Sequence, residues 1–251
     1  MLVMGILNVT PDSFADGGRH NEFDAAVARG LAMIAEGVDI IDIGGESTRP
    51  GAERVSEEDE LNRTIPVITE LAKHGVRISI DTMRASTAGA AVKAGASIVN
   101  DVSGGLADSE MLATVAGLQV PYIAMHWRGQ SKDMNSKAVY GDVVTEVIAE
   151  LNERIDAASD AGIHRDKLII DPGIGFAKDA EHNWAIIDSI DRFVAMGYPV
   201  LVGASRKRFL GGDSPDEREQ ATIELTQRLG TTGVWAVRVH SVKPHKEVLS
   251  S

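Results

Sequence analysis

Eight short apolar runs, each closed by a polar residue or a glycine-rich turn, limit what this chain can become more than any other feature. The runs are Val3–Val9, Asp39–Ile43, Arg77–Ile80, Ser97–Val102, Tyr122–His126, Lys167–Ile170, Val200–Gly203 and Trp235–Val239. Their near-continuous apolar character suits parallel strands covered on both faces. Helical patterns lie between them, over Phe23–Glu36, Glu57–Lys73, Ala85–Ala94, Ser109–Gly117, Val143–Ala161, Ala180–Met196 and Glu217–Leu229. Ser56 followed by Glu57, Glu58 and Asp59 reads as an acidic helix start, and Gly162 and Gly197 read as helix stops.

This alternation predicts an α/β fold, and the count of eight favours a closed (β/α)8 TIM barrel. Periodicity alone leaves an open, doubly wound sheet as the alternative. The 251 residues match one barrel of about 250. No linker, repeat or low-complexity stretch divides residues 1–251, so a single domain is expected. Arg128–Tyr140 is polar and aperiodic and reads as a long loop, while Gly211–Asp216 is a trimmed turn. Only Ser241–Ser251 remain for the eighth helix, which is expected to be short.

Charge and composition narrow the function classes. A formal net charge of −12 disfavours non-specific binding of nucleic acid or an anionic membrane. It leaves room for a small anion held by a local cluster of cations. No apolar stretch approaches the roughly 18–20 residues that cross a bilayer. The opening Met1–Leu7 lacks the basic lead-in of a signal peptide. With no cysteine there is neither a disulfide framework nor a thiolate metal site, and a cytoplasmic location is expected.

The polar residues that end the runs carry the chemistry. In a (β/α)8 barrel every strand C-terminus opens on one face, where the active site lies. Asn8, Glu46, Asp81, Asn100, His126, Asp171, Lys207, Arg238 and His240 would therefore converge from the whole sequence. The bland alternative for any one Asp or Asn is a turn former or helix cap. Caps do not account for so many at successive strand ends, nor for Asn100, Arg238 and His240 inside strands. Asp81, Asn100 and Asp171 suit a flat nitrogen heterocycle rich in N–H donors. Arg206, Lys207, Arg238 and His240 offer cations at the ends of the last two strands, where many barrels bind phosphate. Arg238 and His240, two apart, share a strand face and read as an anion clamp. Arg208 reads as a solvated surface residue. Asn8 is a neutral oxygen ligand suited to Mg²⁺ shared with substrate phosphates. The segments Thr10–Gly18 and Gly44–Gly51 resemble active-site lids, with ordinary βα connections as the alternative.

At these residues a family resemblance becomes specific. The stretch from Gly5 to Phe14 (GILNVTPDSF) and that from Asp42 to Gly51 (DIGGESTRPG) are similar to the first two signatures of dihydropteroate synthases. Ser79–Thr82, Val99–Gly105, Met125-His126, Asp171–Phe176, Gly203–Gly211 and Val237–His240 continue in the family's order. His126-Trp127-Arg128 is similar to its actinobacterial branch. The resemblance implies a transferase joining 6-hydroxymethyl-7,8-dihydropterin pyrophosphate to p-aminobenzoate, Mg²⁺-assisted and SN1-like. It assigns catalytic roles to Asp81, Lys207 and Arg238. The pterin would be held by Asp81, Asn100, Asp171 and Lys207 and lined by Met125, Phe176 and Gly203. Asn8, through Mg²⁺, would join Arg238 and His240 on the pyrophosphate. Phe14, Asp16, Thr48, Arg49, Pro50 and Ser205 would close over p-aminobenzoate, where sulfonamides would compete. It further implies a homodimer paired through the last two helices.

That chemistry fits the residue types. An aromatic amine is already a free base at neutral pH, so the reaction needs charge stabilisation more than proton transfer. Asp81 is expected beneath the ring and Arg238 with His240 beyond the methylene, opposite charges at opposite ends. Rival readings are a catalytically silent pterin-binding paralogue, a pterin-barrel methyltransferase, and an aldolase-like barrel using Lys207 as a Schiff base.

Overall fold

The computed structural model describes residues 1–10, 18–46, 54–129 and 134–250. Its strands are β1 (Leu2–Asn8), β2 (Ile40–Gly44), β3 (Arg77–Asp81), β4 (Ile98–Asp101), β5 (Tyr122–Met125), β6 (Leu168–Asp171), β7 (Leu201–Val202) and β8 (Ala236–Val239). All neighbours pair in parallel, in the order β6-β5-β4-β3-β2-β1-β8-β7. A parallel bridge between Ile170 and Val200 joins the two free edges, so the sheet closes on itself. The expected (β/α)8 barrel is the observed one, and the open sheet is excluded.

The helices are α1 (Gly18–Ala35), α2 (Glu57–Ala72), α3 (Ala85–Ala94), α4 (Met111–Leu118), α5 (Val143–Asp160), α6 (Ala180–Asp188), α7 (Ile190–Val194), α8 (Glu217–Leu229) and α9 (Lys243–Ser250). Ser56 caps α2 by accepting from the Asp59 N–H at 3.1 Å, and Glu57, Glu58, Asp59 and Glu60 load its positive end with carboxylates. Asp142 caps α5, and Asp179 with His182 forms a capping box on α6.

Two departures from the sequence reading are informative. The predicted helix Ala180–Met196 is broken at Ser189, although no Gly or Pro stands there. Ile186, Ile187, Ile190 and Phe193 are all buried, so the break serves packing against the curved barrel wall. The expected eighth helix is α9, eight residues long. It is pinned to α8 by a 2.8 Å hydrogen bond between the buried His245 Nδ1 and Thr226 Oγ1. No described helix is long and apolar enough to cross a membrane.

Strand pleating decides what each residue faces. Val3, Leu7, Ile41, Ile43, Ile78 and Ile80 point outward and pack with helix residues such as Ile68, Leu71, Val147 and Leu151. The alternate residues Met4, Ile40, Ile98, Ile123, Ile169, Leu201 and Ala236 point inward and form a separate apolar plug. That plug fills the lower part of the barrel, as side-chain layers do in this fold.

Candidate active site

One pleat repeat above the plug, the inward positions change character. Ile40 is followed by Asp42, Ile98 by Asn100, Ile123 by Met125, Ile169 by Asp171, Leu201 by Gly203 and Ala236 by Arg238. β3 adds Ser79 and Asp81, and β1 brings Ile6 and the half-buried Asn8. The register places Asp81 beside Gly44 and Asn100, and Met125 beside Asp171. Six of the residues expected at the site, namely Asp81, Asn100, Met125, Asp171, Gly203 and Arg238, thus lie in one inward layer. Lys207 and Phe176 reach it from the turns after β7 and β6.

The centre of that layer is a buried ion cluster. Arg238 donates from Nε to Asp42 Oδ2 at 2.6 Å and from Nη2 to Asp81 Oδ2 at 2.7 Å. Asn100 Nδ2 donates to the same Asp42 oxygen at 3.1 Å. Asp42 is fully buried, and its Oδ1 has no hydrogen-bond partner among the described residues; nor does the neighbouring Ser79 hydroxyl. Burial pushes the Asp81 carboxyl up to about 7; the Asp42 charge adds to this, and Arg238 pulls the other way. Removing one member of such a cluster strands its partners without solvent.

A second group surrounds Asp171. Its Oδ1 accepts from the Gly173 N–H at 2.7 Å, and burial raises its carboxyl against that bond. Lys207 donates from Nζ to the Ile174 carbonyl, and the same ammonium lies 4.6 Å from the Phe176 ring centroid. Burial pushes Lys207 down to about 8, with Asp171 opposing. Gly175 has φ +77°, and a Cβ there would stand 2.7 Å from Lys207 Cδ, so only glycine lets the lysine lie across this turn. At Gly203 a Cβ would sit 3.9 Å from both Arg238 Cβ and Asp171 Oδ2, so this glycine keeps the floor between the two groups open.

The structure corrects two expectations. Asp81 and Arg238 do not stand at opposite ends; they are in contact, because strands of a narrow closed barrel aim inward residues at one another. Arg206 does not join the cations. Its backbone is left-handed (φ 57°), and its guanidinium bonds Glu219 and Ser241 instead. Arg208 is exposed, as read. His240 Nδ1 lies 2.9 Å from Ser205 Oγ, which also accepts the His240 N–H at 3.2 Å. Phe14, Asp16, Thr48, Arg49 and Pro50 lie outside the described residues.

Sequence reasoning overlooked Asp42, Ser79 and Lys178. Asp42 had a signal, a carboxylate inside an apolar run at the same parity as Ile40. Ser79 offered only a weak one. Lys178, beyond the end of β6, offered none.

A closed parallel barrel whose strands carry a buried polar layer at their C-terminal ends is the architecture of a barrel enzyme. The family model for pterin binding enzymes matches residues 4–240. The chain is 50% identical over 257 residues to the dihydropteroate synthase of Mycobacterium leprae (strain TN), covering 98% of this chain and 90% of that protein. The structure of Xanthomonas albilineans dihydropteroate synthase with 4-aminobenzoic acid superposes with TM-score 0.93 at 44% identity, over 99% of this chain and 90% of that one. A Yersinia pestis dihydropteroate synthase in complex with a sulfonamide drug superposes with TM-score 0.93 at 38% identity, over 99% and 92%. The chain belongs to the dihydropteroate synthase family of pterin-binding enzymes, a family of transferases.

Proposed function

We propose that the chain condenses 6-hydroxymethyl-7,8-dihydropterin pyrophosphate with p-aminobenzoate, giving 7,8-dihydropteroate and pyrophosphate. The observation that carries this reading is the gathering of Asn100, Asp171 and Lys207 beside the Arg238–Asp81–Asp42 cluster in one inward layer. Asn100 and Asp171 offer oxygen acceptors for ring N–H groups, and Lys207 offers a donor for a ring oxygen or nitrogen. Met125, Phe176 and Gly203 give flat walls. The side edge of Arg238 is occupied by the two carboxylates, while Nη1 has no partner among the described residues and is free for a diphosphate oxygen.

In the reaction the pterin methylene–oxygen bond breaks, the bonding pair leaves with the diphosphate, the amine nitrogen bonds the methylene, and one amine proton goes to solvent. Positive charge on the pterin in an SN1-like route is stabilised by ionised Asp81, and negative charge on the departing oxygen by Arg238 and His240. Phe14, Asp16, Thr48, Arg49, Pro50 and Ser205 are proposed to receive p-aminobenzoate, and sulfonamides would compete there. No group of three or more His, Cys, Asp or Glu side chains that could hold a metal exists among the described residues; Mg²⁺ would be held by Asn8 together with diphosphate oxygens and water. Bound there, Mg²⁺ would neutralise diphosphate charge. We assign the cysteine-free chain to the cytoplasm and expect a homodimer paired through α8 and α9, to be checked by sedimentation against the 26.8 kDa of one chain.

The deciding experiment measures pyrophosphate release from the pterin pyrophosphate, with and without p-aminobenzoate and Mg²⁺. Mg²⁺-dependent release that yields dihydropteroate when p-aminobenzoate is present supports the reading, and release without the amine is what an SN1-like route allows. Tight pterin binding with no release would instead identify a silent pterin-binding protein.

A further inference from the structure

Outside the inward polar layer, a buried lysine behind β6 has an acceptor for each of its three ammonium protons. Lys178 follows β6 and is only 8% exposed. Its Nζ lies 2.9 Å from His126 Nδ1 and donates to the carbonyls of Gly173 and Phe176, each at 3.1 Å. Burial pushes Lys178 down to about 7, with Asp171 opposing; in its protonated form, three ammonium protons meet three acceptors. His126 must therefore present a bare Nδ1 and carry its proton on Nε2, which points at Glu150 Oε2 at 2.9 Å. Burial first, and then the Lys178 charge, push His126 down to about 4, which keeps the ring neutral and able to accept.

The carbonyls gripped by Lys178 bracket the one taken by Lys207. Residues 173–176 form a turn in which the Gly173 and Phe176 oxygens face Lys178, while the Ile174 oxygen faces Lys207. The turn is pressed against the end of β5: Gly173 has φ +70°, and a Cβ there would stand 2.4 Å from the His126 carbonyl oxygen. The Gly173 N–H meanwhile holds Asp171. One buried ammonium therefore sets a turn that orients Asp171, Lys207 and the Phe176 ring together.

We propose that Lys178 is a positioning residue for the pterin subsite, its three-way grip on His126, Gly173 and Phe176 presenting the 173–176 turn to Asp171 and Lys207. This inference rests on the pterin reading of the site given above. Lys178 touches no substrate in it; removal of the grip lets the turn relax, so the pterin loses affinity while p-aminobenzoate does not.

The test compares wild-type protein with Lys178→Met, which keeps length and burial but has no donor. Fluorescence titration with 6-hydroxymethyl-7,8-dihydropterin pyrophosphate is expected to show at least a tenfold weaker Kd in the variant. In steady-state assays the KM for that substrate rises in step, and the KM for p-aminobenzoate stays within twofold. A folded variant with wild-type pterin affinity overturns the role of Lys178, as does an equal rise in both KM values. If Lys178→Met does not fold, His126→Phe carries the same comparison, because it removes one of the three acceptors. Wild-type protein that binds the pterin but forms no dihydropteroate overturns the proposed activity and leaves the positioning role standing.

Discussion

The two inner layers of the barrel are built on the same strands, two residues apart, and have opposite physics. The lower layer, Met4, Ile40, Ile98, Ile123, Ile169, Leu201 and Ala236, is entirely apolar. It asks nothing of its neighbours except that they fill space. The upper layer packs Asp42, Ser79, Asp81, Asn100 and Asp171 into nearly dry surroundings around a partly buried Arg238, and two polar atoms there lack a partner among the described residues. Burial of apolar side chains stabilises the fold, whereas burial of charge costs stability unless geometry returns it. The lower layer thus holds the barrel shut, and the upper one is tolerated for what it does to a ligand.

The sharpest way to break this division is Arg238→Met. It leaves Asp42 and Asp81 buried together without a counter-charge, and breaking such a pair typically costs about 3–5 kcal/mol. Denaturant unfolding should show that loss, and turnover should fall to background in the same variant. Should stability stay at the wild-type level, the ion cluster is not the costly element described above.

Asp81→Asn separates function from fold. Arg238 keeps Asp42, so stability should change little, while turnover should fall roughly 10²–10³-fold, the size of losing one preorganised electrostatic group. Near-normal turnover would refute the role given to Asp81. The mirror experiment is Ile123→Ala in the lower layer, expected to cost about 3 kcal/mol in unfolding free energy with both KM values unchanged.

The pH profile reads the upper layer together with Lys178, which burial pushes down to about 7. Activity needs ionised Asp81 and protonated Lys207, whose groups sit at about 7 and about 8. As pH falls through 7, Asp81 takes up a proton and kcat/KM for the pterin falls; as pH rises through 7 and then 8, Lys178 and then Lys207 lose their protons and kcat/KM falls again. That parameter reports the free enzyme. In Asp81→Asn the residual activity should lose the acid limb and keep the alkaline one. The smallest effect is expected from Ser79→Ala, which removes a buried hydroxyl without a partner among the described residues and should stabilise by up to about 1 kcal/mol. A clear loss of stability would show that the Ser79 hydroxyl makes a stabilising bond.

Much of this was legible before any coordinates. Apolar runs with polar ends located all eight strands to within two residues, and they placed Asp81, Asn100, Asp171 and Arg238 on a common rim because strand C-termini share one face of a parallel barrel. Asp42 was equally visible in principle, since its parity within its run matches Ile40. The break at Ser189 was not legible, because the helical period continues through it and only curvature of the wall calls for it.

Local pattern and parity thus settled the order of elements, the barrel class and the set of residues facing inward, since these depend on period and on the direction of each strand. Partnership was left to the closed barrel. Nothing in the chain order says that Arg238 takes Asp42 and Asp81, that Arg206 turns away to Glu219, or that Lys178 spends all three protons on His126 and the 173–176 turn. Those choices depend on distances across the lumen, which exist only once the last strand has closed on the first.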